Sequence, residues 1–235
     1  MSVPADKAFF EHLYQIFSRP LSDIDCGERC GPFNEYGVPV CCDIHLIIPS
    51  AYEEEWEYLA ENTDLWQPWS SSGPVDQGVE DEKQDGQVLL KCLGYQHCQR
   101  PYRTLTCRAF PFFPYINSQG QFIGLAYFQE YREMCWIISN LSLVTPAYKA
   151  DFRQAFRLLF RAYPESKEGY TQYSMYVREE MAAADDRIIL LDFDGDVYLV
   201  DPDTEISRRA DYEDLGSYGP FSITKDLRFP DENAD

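Results

Sequence analysis

Eight cysteines, all within the first 135 residues, constrain this 235-residue chain more than any other feature. They run as Cys26-x3-Cys30, a Cys41-Cys42 doublet, Cys92-x5-Cys98, Cys107 and Cys135, and the last 100 residues carry none. Sulfurs drawn from such separated stretches can meet only if the front half of the chain wraps around them. Eight thiols are enough for two tetrathiolate metal sites, or for one polynuclear cluster with ligands to spare.

Compartment is the first test of what the thiols do. Met1–Asp6 lacks the basic start and apolar stretch of a secretory leader, and nowhere do about 18 apolar residues run together, so a cytoplasmic protein is expected. There thiols stay reduced, which disfavours disulfides, and a chain of this length needs no staples. Cys41 and Cys42 point the same way, because neighbouring side chains diverge in extended backbone and a ring between them is strained. Metal ligation leads; disulfides and redox-active or simply buried thiols remain as rivals. A net charge of -20 argues against nucleic acid and anionic membranes as partners.

Spacing does little to choose the metal. Paired C-x2-C knuckles are absent, as is the bacterial ferredoxin run. Cys26-x3-Cys30 begins like a radical-SAM cluster loop, but Phe33 stands where the third cysteine belongs. Charge gives independent support. From Gly86 to Gln129 there is no Asp or Glu over 44 residues, where the chain-wide density would place about seven. Lys91, Arg100, Arg103 and Arg108 lie there instead, and a thiolate centre is negative enough to need such neighbours. Arg100 and Arg108 are the charge-balancing candidates beside the metal or cluster. A core segment is also poor in carboxylates, which accounts for part of the depletion. His45 and His97, near the doublet and Cys98, are candidate ligands that more often turn out to be polar neighbours.

The cysteine doublet, Cys92, Cys98, Arg100-Pro101 and Cys107-Arg108-Ala109-Phe110-Pro111, following a Cys-x3-Cys-Gly segment, resemble the YkgJ-type cysteine-cluster family over residues 26–135. The resemblance implies a zinc- or iron-chelating domain using all eight cysteines. A related pattern occurs in flagellin lysine-N-methylases, which implies an enzymatic cousin.

The chain as a whole reads as α+β, with helices and two hairpins around an irregular, cysteine-rich front half. Residues 1–145 form the metal-binding region with a mobile linker at about 67–87; 146–210 supply helices and a C-terminal hairpin; 211–235 are an acidic, loosely held tail. Phe9, Phe10, Leu13, Tyr14 and Phe17 share one face of a first helix stopped by Pro20. Ser50 and Glu53 suggest a capping box, with Glu53, Glu54 and Glu55 as solvent-facing charges of a helix reaching Leu59. A hairpin over 112–128 turns at Asn117–Gly120, and its Phe112, Phe113, Tyr115, Phe122, Tyr127 and Phe128 are expected to shield the cluster. Thr145 and Pro146 open the clearest helix, with Phe152, Ala155, Phe156, Leu159 and Phe160 inside. Its ridge of Lys149, Arg153, Arg157 and Arg161 is expected to be solvated and balanced by acids such as Glu179 and Glu180. A second hairpin, 187–200, turns at Asp194-Gly195. Its aspartates lack the glycine and glutamate positions of a calcium loop.

The leading expectation is a metal-binding protein that chelates zinc or iron, a 4Fe-4S cluster included, through Cys26, Cys30, Cys41, Cys42, Cys92, Cys98, Cys107 and Cys135. One rival is an iron-sulfur enzyme that modifies a protein side chain, with a protein as substrate or partner; it needs a cavity beside the cluster lined by Arg100, Tyr102 or Arg103. Another is a thiol redox switch, which needs an exposed thiol of low pKa.

Overall fold

The strongest local signal in the chain, Thr145-Pro146, begins the helix around which the core is built. In the computed structural model, which describes residues 6–71 and 86–222, Thr145 accepts the Tyr148 N–H and the helix runs Pro146–Ala162. Its Phe152, Ala155, Phe156 and Leu159 are completely buried. The first helix, α1 (Lys7–Ile16), starts at Asp6, whose carboxylate accepts the Phe9 N–H at 2.9 Å, and packs Phe10, Leu13 and Phe17 into the same cluster. Among the described residues the other α-helices are α2 (Cys26–Cys30), α3 (Glu53–Asn62), α4 (Leu105–Ala109) and α6 (Pro164–Ala183), with Pro146–Ala162 as α5.

A five-stranded antiparallel meander lies between α5 and α6, with β4 (Phe112–Ile116), β5 (Phe122–Tyr127), β6 (Ile188–Leu191), β7 (Val197–Val200) and β8 (Ser207–Ala210) in chain order. Alternation sends Phe112, Leu125 and Leu191 to the α5 side and Phe113, Tyr115 and Leu190 to Val177 and Met181 of α6. Because both faces are covered, β6 reads as the unbroken apolar run Ile188–Leu191. Gly124 is required where β5 meets β6, since a Cβ there would lie 2.6 Å from the Leu191 carbonyl oxygen. A smaller sheet, in the order β1 (Ser50–Tyr52), β3 (Gln87–Cys92), β2 (Trp66–Pro68), packs with α3 and Tyr14 around Leu59, Leu65 and Leu90. The architecture is α+β.

Several expectations change in tertiary context. The ends of the expected 67–87 linker are strand, with Gln67 paired to Lys91 and Gln87 to Tyr52; residues 72–85 lie outside the described residues. The second hairpin turns over Asp192–Asp196, not at Asp194-Gly195 alone. Asp192 Oδ1 accepts the N–H groups of Asp194, Gly195 and Asp196, a carboxylate serving its own turn. Within the basic ridge, Lys149 is buried beside Asp192 and Asp196, and the Arg153 guanidinium lies 4.7 Å from the Phe193 ring centre. The hairpin, not α6, faces the start of this ridge. The chain beyond Asp211 also folds back: Tyr218 N–H bonds Ser139 Oγ at 2.9 Å and Phe221 is buried against Cys30 and Val40. That contrasts with the loose tail expected, for the part of it up to Ser222; residues 223–235 lie outside the described residues.

Candidate functional site

Five short segments carry the cysteines, and each is held by local hydrogen bonds. Asp25 caps α2 by accepting the Gly27 N–H, placing Cys26 and Cys30 four residues apart on one helical face. Gly27 is there because a Cβ would come within 2.9 Å of Pro39 Cγ, and that close approach sets the following turn, Val40–Cys42, against α2. Asp43 is buried and ties this turn down, accepting from Asn34 Nδ2 and the His45 N–H, each at 2.9 Å. The doublet therefore lies in a tight helical turn and not in extended backbone. Its sulfurs converge to 3.8 Å instead of diverging.

Cys92 ends β3 opposite Trp66, and a turn at Gly94, with φ of 102°, leads to Cys98. Thr104 caps α4 by accepting the Cys107 N–H at 3.2 Å. Cys135 follows the turn Gln129–Tyr131 and bonds the Tyr131 carbonyl through its N–H at 2.8 Å.

Six of the eight cysteines line two adjoining cavities. Cys41, Cys42, Cys92, Cys98 and Cys107 bound one of about 200 Å³ with Arg103, Leu65 and Trp66. Cys26, Cys41, Cys42, Cys98 and Cys107 bound another of about 370 Å³ with Arg100, Arg103 and Arg108. Cys30 and Cys135 are buried behind them. All eight are free thiols. Among the described residues, no group of three or more His, Cys, Asp or Glu side chains is gathered closely enough to hold a metal ion.

Burial, with the neighbouring sulfurs Cys41 and Cys30, pushes the Cys26 thiol up to about 12. Cys107 is also raised to about 12, chiefly by burial. Burial raises Cys30 and Cys135 as well. Cys41 is raised by its bond with Cys42 and by burial. Without a cation these groups hold their protons.

Of the arginines, Arg103 addresses the thiols most directly: its Nε donates to Cys98 Sγ at 3.1 Å. Burial alone would lower its pKa, but the Cys98 hydrogen bond and the Cys98, Cys41 and Cys107 sulfurs outweigh that and raise it. Arg100 lines the larger cavity and pairs with Asp25 at the surface. Arg108 braces the backbone, donating to the Arg103, Pro101 and Phe17 carbonyls, while its guanidinium lies 4.1 Å from the Tyr14 ring centre. Sequence reasoning counted Arg103 among the basic residues without separating it from the others. Its place between Cys98 and Cys107 was the available signal. His45 stacks near Tyr36, its ring centre 4.8 Å away, and neither it nor His97 lines the two cavities. Of the hairpin aromatics expected to shield the site, Phe112 and Phe128 line a third cavity that reaches Cys41 and Cys107. Phe113 and Tyr115 face α6, and Phe122 packs on Phe152, Phe160 and Phe193.

Glu55, expected in solvent, is buried and holds α4 in place. It accepts from Tyr14 Oη at 2.5 Å, the Leu105 N–H at 2.6 Å and the Tyr52 N–H at 3.2 Å. Glu55→Ala strands these donors and is expected to cost about 3 kcal/mol, while Glu55→Gln keeps an acceptor and costs less. Burial raises the Glu55 pKa despite these bonds. A raised native value means the folded state binds the proton more tightly. Its stability contribution is then full below the ordinary carboxylate range and is lost as pH rises through the native value. Urea unfolding of the parent and of Glu55→Gln from acid to neutral pH tests this, because the variant lacks that component.

No family model, curated protein or solved structure matches the chain.

Proposed function

We propose that the chain is a metal-binding protein of the YkgJ type, whose cysteines chelate zinc or iron, an iron-sulfur cluster included. One observation carries this reading: six cysteines from separated segments line two adjoining cavities with Arg103 turned onto a sulfur. Buried thiols gain little from being near one another unless something replaces their protons, and a soft divalent cation does so. Ligation requires the sulfurs to close inward on the ion. Arg103, Arg100 and Arg108 would offset the negative charge of a thiolate centre. Free thiols also favour a reducing, cytoplasmic setting. No helix of the described residues is long and apolar enough to cross a membrane.

Anaerobic purification with metal and sulfide analysis tests the reading. Bound zinc, or iron with acid-labile sulfide, is expected in the parent. The Cys41→Ser, Cys42→Ser double variant should lose at least half of it; a metal-free parent, or equal metal in both, would sink the idea.

The larger cavity favours a second reading, an iron-sulfur enzyme acting on a protein side chain, because it offers space beside the sulfurs with Arg100 and Arg103 in its wall. A brown, sulfide-containing protein supports this branch, and a colourless zinc protein the chelating or structural one. The redox-switch reading draws less support, since burial holds the Cys26, Cys30, Cys107 and Cys135 thiols protonated.

A further inference from the structure

On its aromatic side the cysteine region borders a different kind of space. The third cavity, of about 170 Å³, is walled by Phe110, Phe128, Tyr131 and Tyr170. A fourth, of about 290 Å³, adjoins it: Ser50, Thr106, Phe128 and Tyr170 line both, and Tyr52 and Tyr173 complete the second. The rings of the wall hold one another at angles. Phe110 and Phe128 lie nearly parallel, at 16°, and Tyr131 stands across them at 67° and 81°, with centroids 5.1–6.4 Å apart. Tyr173 packs on Phe128 at 5.4 Å.

Charge in this space has one sign. Among the described residues, Glu130 is the one charged side chain that lines either cavity, and no Lys, Arg or His does. Glu130 is exposed, and the Tyr173 hydroxyl lies 3.5 Å from its carboxylate. Three of the wall hydroxyls are already engaged within the protein: Tyr52 Oη and Ser166 Oγ share a hydrogen bond of 2.6 Å, and Thr106 Oγ1 donates to the Ser50 carbonyl at 2.8 Å. They are not free to greet an anion. Aromatic faces beside a lone carboxylate attract a cation, and a chain of net charge -20 adds a field of the same sign.

We infer that the joined cavities bind a small organic cation, an ammonium head on a short alkyl body, held by the rings of Phe128, Tyr131 and Tyr170 with Glu130 at the rim. Ring faces suit an alkylated ammonium better than a bare ion, because its charge is spread over a weakly hydrated apolar surface. The aliphatic wall of Ile47, Ile48 and Pro49 accommodates the alkyl body. Binding of this kind goes beyond metal chelation and needs no thiolate.

Isothermal titration calorimetry with choline tests the proposal on the full chain as purified. Choline is expected to bind, and its neutral isostere, in which carbon replaces the ammonium nitrogen, to bind about tenfold more weakly, since the two share a shape and differ in charge. Glu130→Gln removes one charge at an exposed position and should weaken choline about fivefold while leaving the isostere unchanged. Phe128→Leu and Tyr131→Leu keep apolar bulk but lose a ring, and each should weaken choline about threefold. Circular dichroism checks that the variants are folded; the exposed Glu130→Gln keeps the test decisive if a ring variant is not. A parent that gives no heat with choline, an isostere that binds as tightly, or a Glu130→Gln variant that binds choline like the parent overturns the proposal. Metal content measured on the same sample is a separate outcome: a protein that binds choline but no metal overturns the chelating reading alone, and the reverse overturns the cation site alone.

Discussion

On the metal-binding reading, stripping zinc or iron from anaerobically purified protein with a chelator is expected to melt the cysteine segments while the large sheet stays folded. Structural tetrathiolate zinc contributes apparent binding free energy on the order of 10 kcal/mol at neutral pH. Few other forces hold these segments. Apart from α2, residues 26–48 and 93–104 are short turns and loops, tied by contacts such as those of Asp43 and by small apolar clusters around Val40 and Leu65. Hydrogen exchange followed by mass spectrometry should show amide protection there falling about a hundredfold or more on metal removal. Amides of β4 to β7 and of α5 should change little, because Phe152, Phe156, Leu125 and Leu191 are buried by apolar contacts between sheet and helix, although Cys135 and Cys26 reach the same cluster. Unchanged exchange in the cysteine segments after complete chelation would mean that the sulfurs hold no structural ion.

The largest effect of a single core substitution is expected for Phe152→Ala, at about 4 kcal/mol. Phe152 is completely buried. Its ring meets Phe17 beyond α1, Tyr148 and Phe156 on its own helix, and Phe122 on β5, with centroid separations of 4.4–6.3 Å. Truncation leaves a cavity where helix, sheet and N-terminal segment meet, and the four rings around it, Phe17 packed on Tyr148 and Phe122 on Phe156, cannot collapse into it. Equilibrium urea unfolding measures the loss. A change under about 1 kcal/mol would show that these elements do not share one core. Since Tyr148 Oη also bonds the Ala109 carbonyl at the end of α4, the same variant should loosen the Cys107 helix, linking the scaffold to the candidate site.

The helical and strand signals that could be read in advance are those with local causes. The apolar face of Phe9, Phe10, Leu13, Tyr14 and Phe17 defines α1; Thr145 and Pro146 define α5; Asn117–Gly120 turns the first hairpin. Caps and turns act over a few residues, and the sequence displays them directly. Burial of charge is not local in this sense. Glu55 looks like a helix-start charge until Tyr14 and Leu105, from distant parts of the chain, supply the donors that let it enter the core. Lys149 likewise counts as part of a solvated ridge until the Asp192–Asp196 turn closes over it. The chain beyond Asp211 is acidic and broken by Gly and Pro, yet Phe221 gives it an anchor on Cys30.

From residue order alone one can say that the thiols crowd into the front half, that basic residues replace acids around three of them, and that helices alternate with hairpins in an antiparallel α+β chain. Composition and short-range stereochemistry are enough for that, because each is a property of neighbours along the backbone. Which sulfurs face one another, and that Arg103 and not Arg100 or Arg108 donates to one of them, depended on the folded arrangement. The cavities gather sulfurs from Cys26 to Cys107, and even the Arg103–Cys98 bond between near neighbours takes its direction from the packing of α2, the small sheet and α4. No spacing rule along the chain encodes that packing.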